Sequence, residues 1–242
     1  MAPSRLPVLI VGDVHGDLER LFAALKPYPA DQWRTIFLGD LVDYGVFGVG
    51  ALRYARDRPN SSVLLGNHEV ALLWALRDPT RIRFWMSIGG ERHDLDELAR
   101  DEPLQQWLRE RPAMLRLDDG TLLQHCGHDG YMSLLDGSED DQLSAINSHF
   151  RNALASGGEG DLWDLMSIRN VFESDLYRLT RWLETMQAAR VVFGHTPHRS
   201  PHPERYHDGR AWNFDGGLAK RGPWRGRSAL AASVGPLPDL AG

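Results

Sequence analysis

The sequence predicts an α/β protein with a largely parallel sheet in its first half. Short runs of β-branched and aliphatic residues alternate with amphipathic segments of helical period. The resulting strand–helix–strand rhythm calls for crossover connections, which join parallel strands. Most of the apolar runs also stop at a glycine followed by polar groups, so the strand ends form a series of related loops.

Leu6 to Val11 reads as the first buried strand. Beyond Gly16, Leu18, Leu21, Phe22 and Leu25 fall at helical spacing, and Pro27 and Pro29 end that helix. "RTIFL" (34–38) is a second strand, Ala51 to Arg58 a helix stopped by Pro59, and "SSVLL" (61–65) a third strand leading into the helical "HEVALLWALRD" (68–78). Residues 94–111 are Leu-rich and helical, with a break at Pro103, and "TLLQ" (121–124) is a fourth strand. From Ser138 to Ala189 the pattern turns helical. Ser138 and Asp141 form a capping box, and Leu176, Leu179, Trp182, Leu183 and Met186 form one apolar stripe. "RVVF" (190–193), "AWNF" (211–214) and "SALAASV" (228–234) complete the strands, "SGGEG" (156–160) reads as a flexible loop, and "PLPDLAG" as a frayed tail.

The bulk properties fit one globular α/β unit over 1–242, with a mostly helical excursion at about 137–190. The 242 residues are 42% hydrophobic and 25% charged, enough for one large core. A net charge of −6 argues against a nucleic-acid groove as the dominant feature. Cys126 is the sole cysteine, so no intrachain disulfide forms and a reducing compartment is expected. "MAPSRLPVLIV" has too short an apolar run for a signal peptide, and no run approaches membrane-spanning length. A cytoplasmic protein is the expectation.

The chemistry follows the strands. Gly12-Asp13-Val14-His15-Gly16 follows the first, Gly39-Asp40-Leu41-Val42-Asp43 the second, and Gly66-Asn67-His68-Glu69 the third. His125 follows the fourth and Gly194-His195-Thr196-Pro197 the fifth. In open α/β sheets ligands bind beyond the carboxyl ends of strands, so these groups would meet in one crevice. A single Gly-Asp pair is usually a plain turn; five strand ends delivering carboxylate, imidazole or amide together are not. Carboxylate and amide oxygens mixed with imidazole nitrogens, without a thiolate, favour manganese, iron or zinc. Groups from the first two loops would hold one ion, and Asn67, His125 and His195 another, with Asp40 bridging. Two neighbouring cations lower the pKa of a shared water and neutralise charge on a phosphoryl group. Glu69 is placed to brace the helix that starts beside it.

The order GDVHG, GDLVDYG, LLGNHE, a later His125 and FGHTP resembles the calcineurin-like metallophosphoesterases, most closely their phosphoprotein-phosphatase branch with its bacterial members. The match is collinear from Val8 to about Gly217 and includes "FWMSIGGERH" (84–93) and "NFDGG" (213–217). The resemblance implies a two-layer β core of mixed sheets flanked by helices. It implies two divalent metal ions, manganese foremost, ligated by Asp13, His15, Asp40, Asn67, His125 and His195. His68 is then not a ligand but the acid that protonates the leaving alkoxide, oriented by Asp43. The implied function is hydrolysis of phosphate monoesters, phosphoprotein included, by a metal-bridging water. Two departures bear on the substrate. Tyr44 and Leu65 stand where that branch carries the arginines that fork the phosphate. Neither residue reproduces that fork; Arg92 is a candidate replacement, as are Arg205, Arg210 and Arg221, and Tyr44 is a candidate substrate contact. The missing arginines favour, as an alternative, a phosphoanhydride or diester such as a dinucleoside polyphosphate. Retention of all six ligand positions and His68 argues against a catalytically silent binding module. His198, His202 and His207 read as an exposed loop, and His128 as a loop position near His125. The expected partner is a phosphorylated small molecule or protein, not nucleic acid or membrane.

Overall fold

A computed structural model describes residues 6–137, 141–219 and 229–239. In chain order these form β1 (Val8–Val11), α1 (Leu18–Leu25), β2 (Arg34–Phe37), α2 (Gly48–Asp57), β3 (Ser61–Val63) and α3 (Asn67–Arg77). There follow α4 (Ile82–Ser87), α5 (Arg92–Leu98), α6 (Glu102–Arg109), β4 (Met114–Arg116), β5 (Thr121–Gln124), α7 (Gln142–Ser156), α8 (Glu159–Met166) and α9 (Leu176–Thr185). β6 (Arg190–Phe193), β7 (Glu204–Tyr206), β8 (Ala211–Asn213) and β9 (Val234–Pro236) close the described chain.

The strands make two mixed sheets, ordered β3-β2-β1-β9 and β4-β5-β6-β8-β7. β1 pairs in parallel with β2, and β2 with β3; β5–β6 and β6–β8 are the parallel pairs of the second sheet. The two-layer arrangement follows from the pleat, because alternate side chains leave opposite faces. Ile10, Ile36, Leu38 and Leu64 of the first sheet meet Leu123, Val192 and Phe214 of the second in an inner core. The residues between them, Leu9, Val11, Phe37, Leu122, Val191 and Phe193, point outward into the larger core shared with the helices. The parallel strands thus carry their C-terminal ends, and the loops that follow, to a common edge.

Local chemistry sets the helix boundaries. Asp17, Asp101, Asp141 and Asp175 each cap a helix by accepting amide hydrogens of its first turn. The break expected at Pro103 falls just before it, since proline is well suited to a first helical turn. Gly157, in the left-handed region, ends α7, and α8 starts at Glu159, so the expected flexible loop at 156–160 is a tight corner. The expected strand at 228–234 lies instead at Val234–Pro236, after a 3-10 turn over Leu230–Ala232. The expected partner in the Ser138–Asp141 box, Ser138, lies outside the described residues. β4 and β7 are antiparallel edge strands that the sequence pattern did not reveal. β7 also runs through the segment expected to be an exposed loop, where His198 keeps only 4% of its side chain exposed. No described helix is long and apolar enough to cross a membrane.

Candidate metal centre

Loops following β1, β2, β3, β6 and β8, with the turn after α8, converge in one crevice lined by Asp13, His15, Asp40, Tyr44, His68, Arg169, His195 and Asp215. The backbone is contorted to deliver them. His15, Asp40, Asp43, Tyr44 and His195 all have φ between 48° and 69°, a conformation costing non-glycine residues about 1–3 kcal/mol each. Glycine makes the close approach of neighbouring loops feasible: a Cβ on Gly66 would collide with the Asp40 amide and with Glu69.

Glu69 ties the second and third loops together. Its Oε2 accepts from the amides of Asp40 (2.8 Å) and Gly66 (2.9 Å), and its Oε1 from Leu41 (2.7 Å) and Val42 (3.2 Å). The carboxylate therefore braces more than its own helix; it fixes the backbone that carries Asp40 and Asp43. Burial, with the Asp40 charge, nevertheless pushes its pKa up to about 7.

Asp40 stands at the centre with its two oxygens turned to different neighbours. Oδ1 lies 3.3 Å from His125 Nε2 and accepts the His68 amide at 2.9 Å, while Oδ2 lies 3.9 Å from His15 Nε2. His15 Nε2 is also 3.8 Å from Asp13 Oδ2, and His125 Nε2 is 2.9 Å from Asn67 Oδ1. The far ring nitrogens of both histidines are bound by carbonyl oxygens, His15 Nδ1 to Val42 and His125 Nδ1 to Leu38. Each imidazole therefore turns Nε2 inward, the arrangement that backbone acceptors impose on metal-binding histidines. His195 joins through its amide, which donates to Asp13 Oδ1 at 3.0 Å, and its ring lies 5.0 Å from that of His125. Two sets, His15–Asp40–His68 and Asp13–Asp40–His125, bring donor atoms within 4.8 Å of one another. Cys126 pairs with His125 and His195 by the same measure, but its thiol donates to the Met166 carbonyl and burial raises its pKa well up, which leaves it inert.

The electrostatics call for cations. Burial, then Asp215 and Asp40, drive the Asp13 pKa well up, and burial also raises Asp215. Burial opposes ionisation of Asp40 too, yet His125 and His68 hold it well below the usual carboxylate range. Burial alone would lower His125, but Asp40 beside it lifts its pKa to about 9. Burial and the neighbouring His68 depress His15 to about 4. Three buried carboxylates in one small cavity do not all ionise without positive charge beside them. His195 Nδ1 and Asp215 Oδ2, both buried, find no partner among the described residues. The donor set fits divalent metal ions.

His68 is arranged differently. Its Nδ1 sits 2.7 Å from Asp43 Oδ2, and the other Asp43 oxygen accepts the indole N–H of Trp85 at 3.0 Å. Burial lowers the His68 pKa. All three side chains are buried, and the ring's second nitrogen is left toward the crevice, 3.9 Å from Asp40.

Of the two candidates for gripping substrate, Tyr44 lies in the crevice, its ring 5.0 Å from His15 and 5.4 Å from His68. Arg92 does not join it: on the exposed face of α5 it donates to Asp96 at 3.1 Å. Arg205 reaches the Asp208 carbonyl and Arg210 the Thr180 hydroxyl, both away from the crevice, and Arg221 is outside the described residues. Leu65 is wholly buried in the core. The guanidinium present is that of Arg169, from the turn after α8, whose Nε donates to His195 Nε2 at 3.1 Å. Sequence reasoning missed it because a lone arginine in a helical excursion carries no local signal. It missed Asp215 as well, although the quoted "NFDGG" contains it, and the hydrogen bond from Trp85, although "FWMSIGGERH" does.

Comparison with known proteins agrees with this fold. The symmetrical bis(5'-nucleosyl)-tetraphosphatase of Actinobacillus pleuropneumoniae serotype 5b (strain L20) is 33% identical over 126 residues, 49% of this chain and 44% of that relative. The enzyme of the same name from Yersinia enterocolitica serotype O:8 is 35% identical over 127 residues, 49% of this chain and 40% of its own length. The matches thus span less than half the length of these curated relatives. In three dimensions the chain is similar to the cold-active protein-tyrosine phosphatase of a psychrophilic Shewanella, with a TM-score of 0.68 at 19% identity, covering 97% of this chain and 81% of that one. A solved putative diadenosine tetraphosphatase gives 0.52 at 20% identity, covering 89% and 85%. At such identities the structural likeness speaks for the fold alone. The calcineurin-like phosphoesterase family model matches residues 6–199, the stretch that holds the first five strand-end motifs, and the chain belongs to that family.

Proposed function

We propose that this chain hydrolyses phosphate monoesters, those on proteins included, at a centre of two divalent cations. Asp13, His15 and Asp40 would hold one, and Asp40, Asn67, His125 and His195 the other. The split orientation of the Asp40 oxygens supports its sharing. Mixed oxygen and imidazole donors favour manganese, with iron and zinc as rivals. When bound, such a pair lowers the pKa of a water and neutralises charge on a phosphoryl group under in-line attack.

The observation that carries the reading is the buried relay Trp85–Asp43–His68 beside the donor cluster. A metal-binding role alone would not need it. As the ester P–O bond breaks, His68 Nε2 gives a proton to the departing oxygen. Asp43 holds Nδ1–H and stabilises the charged ring before transfer, and Trp85 keeps Asp43 from rotating away. A His68 pKa lowered by burial makes that proton easier to surrender to an alkoxide. Arg169, at the crevice rim, offers the positive charge that Tyr44 and Leu65 do not.

A second reading, hydrolysis of a dinucleoside polyphosphate, is favoured by the name that the curated relatives share. With Mn²⁺ present, para-nitrophenyl phosphate, its bis-ester and a dinucleoside tetraphosphate should be compared by kcat/KM. Preference for the monoester upholds the first reading, preference for the tetraphosphate installs the second, and silence toward all three removes both.

A further inference from the structure

Asp215 follows β8 in a turn held on every side. Its amide donates to Asn213 Oδ1 (2.8 Å), its carbonyl accepts the His198 amide (2.9 Å), and its Oδ1 accepts the Gly217 amide (3.1 Å). The preceding Phe214 carbonyl presses against Gly12, where a Cβ would collide with it, so the turn lies directly against the loop carrying Asp13. The residue is 2% exposed and lines the crevice, yet among the described residues its buried Oδ2 has no hydrogen-bond partner. A buried carboxylate oxygen left bare is costly unless a cation meets it. Its carboxylate feels the charges of Asp13, His15, Asp40 and Arg169. His15 does not satisfy it as a hydrogen-bond donor, since its Nδ1 is taken by the Val42 carbonyl and its Nε2 lies beside Asp13 and Asp40.

We infer that Asp215 is a further metal-facing carboxylate, serving the cation associated with Asp13 and His15 and making that half of the centre oxygen-rich. The inference rests on the two-cation reading proposed above. It gives the centre an asymmetry. Asp13, Asp40 and Asp215 surround a single imidazole on one side, whereas His125 and His195 accompany Asp40 and Asn67 on the other. Oxygen-rich sites favour manganese and magnesium, and imidazole-rich ones favour zinc. Asp215 therefore sets which ion the first half takes.

The test is binding of Mn²⁺ and of Zn²⁺ alone to the purified protein, read by calorimetry and elemental analysis, in the wild type, Asp215→Asn and Asp215→Glu. The Asn variant keeps an oxygen for the Gly217 amide. One of its two Mn²⁺ steps should weaken about 10–100-fold, the range seen when groups supporting metal ligands are removed. The other step should hold, and Zn²⁺ affinity should fall less. Asp215→Glu, which keeps the charge, should recover much of the loss. Two unchanged Mn²⁺ steps in Asp215→Asn would overturn the inference, as would equal losses in both variants, which mark a purely structural role. A wild type that binds no Mn²⁺ removes the two-cation reading together with this one. A wild type that binds two ions and cleaves phosphoesters, beside an indifferent Asp215→Asn, removes this one alone.

Discussion

The crevice has two walls, one from each sheet, and they are finished to different degrees. The first wall, after β1, β2 and β3, has a fully bonded framework beside the looser cluster of Asp13, His15 and Asp40. Glu69 takes four backbone amides from two loops, and Asp43 is held between Trp85 and His68. The second wall, after β6 and β8, leaves His195 Nδ1 and Asp215 Oδ2 without partners among the described residues and sets Arg169 against His195. In the reading proposed above, the first wall supplies the proton-moving pair together with Asp13, His15, Asp40 and Asn67, and the second wall completes the ion-holding set. Groups that move a proton must be oriented before substrate arrives, because a misplaced acid loses its contribution. Groups that receive an ion keep open donors until the ion completes them.

The hardest blow to this division is His68→Ala. It should cut kcat about 10²–10⁴-fold on esters with poor leaving groups while both cations stay bound, as measured by steady-state kinetics and elemental analysis. Loss of metal in that variant would mean that the proton-moving pair is not independent of the ion-holding groups. Glu69→Gln comes next. Replacing one carboxylate oxygen with an amide nitrogen leaves two of the four amides without their acceptor and should cost about 2–3 kcal/mol, read from urea unfolding. Amide exchange should speed at Asp40, Leu41 and Val42 while the strand at 190–193 stays protected. Uniform loosening would deny that the first wall is tied separately.

A pH-dependent effect lies behind the second wall, at His128. Its Nδ1 accepts the Gly130 amide at 2.9 Å, its ring stacks on Tyr131 at 4.6 Å, and burial lowers its pKa from 6.5 to about 3. The unfolded chain takes this proton near pH 6.5, and the folded one refuses it until about pH 3. Stability from this group is therefore fully present above pH 6.5 and lost as pH falls toward 3, by up to about 1.4 kcal/mol per pH unit. His128→Gln should flatten the fall in unfolding free energy between pH 7 and 5 relative to the wild type. Parallel curves would show that the ring accepts a proton in the folded state.

The sequence was most informative where chemistry is written locally. Glycine followed by Asp, Asn or His after an apolar run marks a strand end, and Asp13, Asp40, Asn67 and His195, so marked, gather with His15 and His125 in one cluster, with His68 on Asp43. It was least informative where partners are distant. Met114–Arg116 and Glu204–Tyr206 are three-residue edge strands with too few residues to show a period; pairing with β5 and β8 makes them strands. The small residues of 229–233 carry no strand preference strong enough to resist a 3-10 turn. Arg92 and Arg169 look alike as letters. Only the fold sends one to Asp96 on the surface and the other to His195.

Glu69's grip also has a consequence for divergence. Two loops stitched by one carboxylate must change in concert, so the proton-moving machinery resists piecemeal alteration. The rim from Tyr44 to Phe47, with Val46 and Phe47 largely open to solvent, and the turn bearing Arg169 lie outside that stitch. New substrate preferences would arise there first, one substitution at a time.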